Sequence, residues 1–308
     1  VRNNGRFRLP DDVTTLAEIM KRSGRRTGAF VSAFTTNRLF GLAQGFETYA
    51  DDFGHDRRGS MRHQRPGNEV LADAMPWLEE HAGAPFFAWV HFFDPHTPYS
   101  PPPRYGMEHP GHPYRGEVAF TDALVGRLVD KLEELGAAEH TLVVAVADHG
   151  EGLGTHGEEE HGVLLYEETV AVPMIFVAPG MIEPGTVATR PASITDVAPT
   201  ILARLGLDPP AEVQGLDLLS PAVEAPRPVI AETLYPHEEF GWSALYALRD
   251  GNLKYIHSTK PEIYDLSADP GEGENILERM PDRANELRQA LREVAGRLQR
   301  PDRLATAA

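Results

Sequence analysis

The chain has 308 residues, 41% of them hydrophobic, enough for one large α/β core with a smaller appendage. It carries 29 Lys and Arg against 46 Asp and Glu, a net charge of −17. That balance excludes the clustered positive charge needed to hold a nucleic-acid backbone or an anionic membrane surface. No cysteine is present, so disulfides, thiol nucleophiles and thiolate zinc sites are excluded, and no run of 18 apolar residues spans a bilayer.

In chain order, Asp11 to Gly24 reads as a short helix, with Thr15 and Glu18 at capping-box spacing and Gly24 as its stop. Gly28 to Phe34 reads as a strand. Asn68 to His81 reads as a helix in which Pro76 is a candidate break. Pro85 to Phe93 is a continuous apolar run, suited to a strand covered on both faces. Glu117 to Leu135 is the clearest helix, with Leu124, Leu128, Leu132 and Leu135 on one stripe. Thr141 to Ala147 and Pro173 to Pro179 read as further buried strands. Thr195 to Leu205 reads as a helix capped by Thr195 or Asp196. This alternation predicts a mostly parallel sheet between helices. Beyond Pro221 the rhythm changes. Pro228 to Leu234, Ser243 to Arg249, Leu253 to His257 and Glu262 to Leu266 are short strands, with Asp250-Gly251 as a hairpin turn. A final amphipathic helix runs from about Pro281 to Leu298. These elements predict a small antiparallel α+β subdomain.

Two segments carry chemistry. The Thr141 strand stops at Asp148-His149-Gly150-Glu151, and His156 and His161 follow in a glycine-rich loop. The Pro85 run contains His91 and is followed by Asp94-Pro95-His96-Thr-Pro98-Tyr99. Open α/β sheets build their sites at the carboxyl ends of strands. There, Asp148, His149, His96 and His161 are expected to converge. Carboxylate and imidazole together suit zinc or manganese, and further carboxylates would favour calcium. Ordinary structural readings stand beside these: His91 as a core histidine, and Asp94 as an Asx turn before Pro95.

Four ordered segments together resemble the sulfatase family of the alkaline phosphatase superfamily. Asp148-His149-Gly150-Glu151, Leu153-Gly154, His156-Gly157, His161-Gly162, Leu165-Tyr166-Glu167 and Val172-Pro173 are similar to its metal-binding strand end and loop. His91, Asp94-Pro95-His96 and Pro98-Tyr99 resemble its H-x-x-D-P-H-x-P-Y segment. Asp196, Pro199-Thr200 and Gly215 resemble its D-x-x-P-T helix and following glycine. Leu248-Arg249, Gly251, Lys254-Tyr255, Tyr264-Asp265-Leu266, Asp269-Pro270, Glu272 and Asn275 resemble its carboxyl-terminal subdomain.

The resemblance implies an alkaline-phosphatase-like α/β core over residues 1–222 and an antiparallel-sheet subdomain over residues 223–308. It implies one divalent metal (Ca, Zn or Mn) on Asp148 and His149, His96 and His161 as catalytic groups, and His91, Asp94 and His156 against the substrate. The substrate would be a small anionic ester, and the reaction hydrolysis of a sulfate or phosphate ester through a covalent intermediate. Asp-His in place of the Asp-Asn of many sulfatases resembles the phosphonate and phosphodiester hydrolases. The family also opens with an acidic metal-binding strand and a Cys, Ser or Thr nucleophile motif. Neither motif is found before Gly24, so these 308 residues by themselves are expected to be inactive. The alternatives are a phosphoethanolamine-type transferase of the same superfamily and a non-catalytic domain that retains the fold.

Overall fold

A computed structural model describes residues 7–55, 59–220 and 227–298. The chain divides into two compact units, Val1–Thr141 and Leu142–Ala308. The domain boundary expected at 222/223 lies outside the described residues.

In the first unit, helix α1 (Leu16–Arg22) starts where the sequence places its cap: Thr15 Oγ1 accepts from Glu18 N–H, and Glu18 returns a carboxylate to Thr15 N–H. Strand β1 (Arg26–Phe30) is buried from Thr27 onward and lies between β2 (Thr48–Ala50) and β3 (Phe86–Val90), both parallel to it. β1 ends at Phe30, short of the Phe34 expected from the sequence, and Phe34 opens a 3-10 turn. β2 is unforeseen because three residues carry no periodicity.

Helix α2 (Gly67–His81) contains Pro76 without breaking, and Trp77 on it packs edge-on to Phe30. After the short helix α3 (Pro103–Glu108), α4 (Pro113–Glu134) begins four residues before the expected Glu117, with Pro113 at its first turn. Leu124 and Phe120 of α4 join Leu71 of α2 in one buried cluster.

In the second unit, β4 (Val143–Val146) pairs with β5 (Met174–Val177), which follows the one-turn helix α5 (Glu167–Val170), in antiparallel register, a local departure from the parallel pattern of β1–β3. Nor are these two strands fully covered: Val146, Ile175 and Val177 are exposed, although their apolar runs predict burial. The helix expected over Thr195 to Leu205 is α6 (Val197–Arg204), whose N-cap residue is Asp196 as expected although its side chain makes no cap bond, and a 3-10 turn capped by Ser193 precedes it. The fully buried Asp196 carboxylate instead accepts from Ser193 N–H and Leu216 N–H and pairs with Arg227. The D-x-x-P-T segment is therefore a clamp that fastens the chain near Gly215.

Strands β6 (Val229–Thr233), β7 (Leu245–Asp250), β8 (Leu253–His257) and β9 (Glu262–Asp265) form an antiparallel sheet in sequence order, as the short-strand rhythm predicts. Side chains alternate across a strand, and here both faces are covered. Leu248, Tyr255 and Ile263 pack with Leu287 and Leu291 of helix α8 (Pro281–Leu298). Ala247, Ile256 and Tyr264 pack on the other face with Leu165, Tyr166 and Val170. The second packing matters most for function, because residues 165–170 are the return limb of the loop that follows β4.

Candidate functional site

In the second unit, β4 delivers Asp148 and His149 just past its carboxyl end, as expected from the sequence. The loop then folds back on itself. Gly150 N–H bonds to Thr169 O, Glu151 N–H to Glu168 O, and Gly152 N–H to Glu160 O, each at 2.8–2.9 Å. A Cβ on Gly150 would sit 2.1 Å from Glu168 O, and one on Gly152 2.3 Å from Glu158 O. The glycines are there for this close approach.

Folding back brings His161 onto His149, with ring centroids 3.7 Å apart and planes 24° apart. The two rings are oriented in the same way. His149 Nδ1 lies 2.8 Å from Gly150 O, and His161 Nδ1 lies 3.0 Å from Glu151 Oε1. Neither oxygen can donate, so each Nδ1 carries the hydrogen and each Nε2 is the basic nitrogen of the neutral ring. The Glu151 side chain is only 3% exposed, so a buried carboxylate fixes the His161 tautomer. Sequence reading placed Glu151 in the motif but missed this role, since nothing local shows that residue 161 returns to it.

His149 Nε2 stands 3.7 Å from Asp148 Oδ1, and the Asp148 side chain is 82% exposed. One ion held at metal–ligand distances of about 2.0–2.2 Å bridges two donors at that separation. The His149 Nδ1–H on a carbonyl is also the support that metal-bound imidazoles use. The pair fits one divalent ion through two of its ligands. Among the described residues no cluster of three or more His, Asp or Glu side chains forms a complete ion site.

His156 is placed differently. Its Nδ1 meets the Glu168 carboxylate, its Nε2 lies 3.2 Å from Glu272 O, and its ring stacks on Tyr166 at 3.8 Å. Both nitrogens face acceptors, which suits the doubly protonated ring. Burial lowers its pKa, but the Glu168 carboxylate and the Glu272 carbonyl outweigh burial and hold it above the ordinary imidazole value. His156 thus braces the loop against the turn at Glu272. A raised pKa gives stability that is fully present below the unfolded value, near 6.5, and lost as pH rises through the folded one. Amide exchange in residues 154–158 is expected to accelerate, beyond its intrinsic base catalysis, as pH rises above the ordinary imidazole value of about 6.5. His156→Gln should abolish that excess, and an excess that survives the substitution would show that another group controls the loop.

Glu158 was also missed. Its buried carboxylate accepts from Val163 N–H at 2.7 Å and Leu164 N–H at 3.0 Å, and burial raises its pKa. It fixes the chain just beyond His161.

In the first unit, β3 delivers the other expected residues. His91 N–H bonds to Phe30 O, and its Nδ1 lies 3.4 Å from Ser32 N and Oγ. Asp94 Oδ2 accepts from Gly67 N–H at the start of α2, at 2.8 Å, and burial raises its pKa. That contact anchors the helix. His96 stacks on Phe93 at 4.0 Å, and its Nδ1 lies 2.7 Å from Thr97 O, so its Nε2 too is the basic nitrogen. The buried Glu117 carboxylate of α4 accepts from His96 N–H and Ser100 N–H, and burial raises its pKa. Glu117 shapes the proline loop and had no signature in the sequence beyond its helix. His96 belongs to the first unit, and Asp148, His149 and His161 to the second.

The chain shares its fold with solved structures. The chain superposes with a TM-score of 0.80 and 20% identity, over 98% of its length and 85% of the other, on a protein solved with its substrate D-glucosamine-2-N,6-O-disulfate. It superposes on the phosphonate monoester hydrolase of Agrobacterium radiobacter with a TM-score of 0.71 and 20% identity, covering 95% of this chain and 81% of that one. The chain belongs to the Sulfatase family, whose model matches residues 2–207. A second model, "N-sulphoglucosamine sulphohydrolase, C-terminal", matches residues 156–300. Relatives include arylsulfatase K of Bos taurus, 30% identical over 59% of this chain and 36% of that protein. The N-acetylglucosamine-6-O-sulfatase of Bacteroides thetaiotaomicron is 31% identical over 53% of this chain and 31% of that protein. These matches span about a third of the length of the curated relatives.

Proposed function

We propose that the full-length protein is a metal-dependent hydrolase of sulfate esters, with a sugar as the alcohol. One observation carries the reading: His161 is held by the buried Glu151 and stacked on His149, beside Asp148. A basic nitrogen of fixed direction is what proton transfer to a leaving oxygen requires. Family membership supports sulfate, and the relatives that act on N-acetylglucosamine-6-O-sulfate and on a glucosamine disulfate support the sugar.

Asp148 Oδ and His149 Nε2 would hold the ion, with one or more ligands from other groups. When bound, the ion supplies Lewis-acid polarisation of the ester oxygen. As the bond from sulfur to the sugar oxygen breaks and one to an incoming oxygen forms, the oxygen that hydrolysis ultimately draws from water, His161 gives a proton from Nε2 to the departing sugar oxygen and Glu151 steadies the ring through Nδ1–H.

Asp148→Asn and His149→Ala are each expected to weaken divalent-ion affinity about tenfold or more. Calorimetric titration with Zn, Mn and Ca checks this, and unchanged affinity in both variants sinks the assignment. The reaction is tested by assaying the full-length protein on glucosamine 6-sulfate and on phenyl phosphonate monoesters, with and without chelator. Chelator-sensitive sulfate release is expected to dominate. Faster phosphonate hydrolysis would move the protein to the other branch of the superfamily, which the Asp148-His149 pair resembles.

A further inference from the structure

A cavity in the second unit has no part in the chemistry above. It encloses about 380 Å³, within the range of small-molecule sites. Its lining includes Val163, Leu164, Trp242, Ser243, Ser258 and Thr259, and no lining residue is charged. An anionic sulfate finds no counter-charge there. A neutral ring with hydroxyls does, because aliphatic and indole surface sits beside three hydroxyl side chains.

The cavity is tied to His161. Thr233 at the end of β6 donates its hydroxyl to Gly162 O and accepts Tyr235 N–H at 3.3 Å. Thr233 therefore hangs helix α7 (Tyr235–Phe240) on the residue that follows His161. Val163, two residues beyond His161, is a cavity wall, which places the two Cα atoms within about 7 Å of each other. The cavity wall therefore lies in the same loop as His161.

The platform is aromatic. Trp242 is 62% exposed, and Phe240 and Tyr235 are about half exposed. Phe240 lies 5.1 Å from Trp242 and 5.8 Å from Tyr235, ring to ring. The Trp242 backbone is fixed by Trp242 N–H to Pro236 O and by His237 Nδ1 to Trp242 O, both 3.0 Å. The three rings form one contiguous exposed aromatic patch at the cavity mouth, the kind of surface that marks a binding site.

The geometry points to this cavity as the subsite for the neutral sugar ring of the ester, with Trp242 stacking on the ring's C–H face and the hydroxyl side chains meeting its OH groups. This rests on the sulfated-sugar reading above and assigns the residues that select the alcohol. The test is calorimetric titration of the full chain with glucosamine 6-sulfate, glucosamine and inorganic sulfate, repeated on Trp242→Ala and Trp242→Phe. Trp242→Ala should weaken glucosamine 6-sulfate about tenfold, Trp242→Phe only two- to threefold, and inorganic sulfate should bind both variants like the parent. Equal binding of the sugar sulfate by Trp242→Ala and parent overturns the subsite, as does an equal loss for inorganic sulfate. Trp242-dependent binding of glucosamine without any sulfate binding would keep the subsite and overturn the proposed function. No binding of any of the three would overturn both.

Discussion

Replacing His161 by alanine in the full-length protein is expected to lower kcat for a sugar sulfate by about 10²–10⁴-fold. The loss should be much smaller for 4-nitrophenyl sulfate. Nitrophenolate leaves without a proton, whereas a sugar alkoxide needs one in the transition state. Only a group that protonates the leaving oxygen produces this difference between substrates. Glu151→Gln keeps an acceptor near Nδ1 but loses the charge, and should cost about 10–100-fold on the sugar sulfate. Glu151 acts through His161, so its loss must show the same leaving-group dependence. A merely structural role would depress both substrates alike. Equal losses on the two esters in His161→Ala would show that the histidine does not deliver the proton.

The second large effect is on stability. Lys254 is 2% exposed at its side chain and lies 2.9 Å from Glu167 and 3.0 Å from Glu272, whose side chain is fully buried. Arg249 pairs with the other Glu167 oxygen at 3.1 Å. Glu272 accepts Glu167 N–H with its carboxylate and His156 with its carbonyl, so this network anchors the return limb of the site loop. Removing one partner of a buried pair leaves an uncompensated charge, at about 3–5 kcal/mol. Lys254→Met is therefore expected to lower unfolding free energy by roughly that amount in urea titrations.

Burial already raises the Glu272 pKa against the opposing pull of Lys254. Without Lys254 it rises further. A carboxyl raised in the folded state gives stability that is lost as pH rises through its folded pKa. The deficit of Lys254→Met should thus be larger near pH 8 than near pH 5, by the ordinary carboxylate reference. Adding Glu272→Gln should restore part of the loss. A deficit under about 1 kcal/mol, or one independent of pH, would place the pair among weak surface bridges.

Most of the fold was legible because its signals are local. The Thr15–Glu18 capping box, the Asp250-Gly251 turn and the Pro281 helix each depend on residues within one or two turns of chain, and each stands where the sequence puts it. The four short strands from Val229 were legible for the same reason, since alternation with turn residues is a two-residue pattern. The site was legible in part. Asp148 and His149 abut a strand end, and position past a strand end can be read without coordinates.

Sequence alone thus determined the element types, the antiparallel carboxyl-terminal sheet, the resemblance to sulfatases and the residues at two strand ends. Tertiary structure decided the rest. Which carboxylate holds which imidazole depends on how a glycine loop folds back, and only the folded chain turns Glu151 to His161 and Glu168 to His156. That Glu117 cradles the His96 loop and Lys254 neutralises Glu272 depends on contacts 21 and 18 residues apart in the chain. The same holds for the exposure of Val146, Ile175 and Val177. Apolar composition records that a strand can be buried, but what covers it is set by packing of distant segments, which no window of sequence contains.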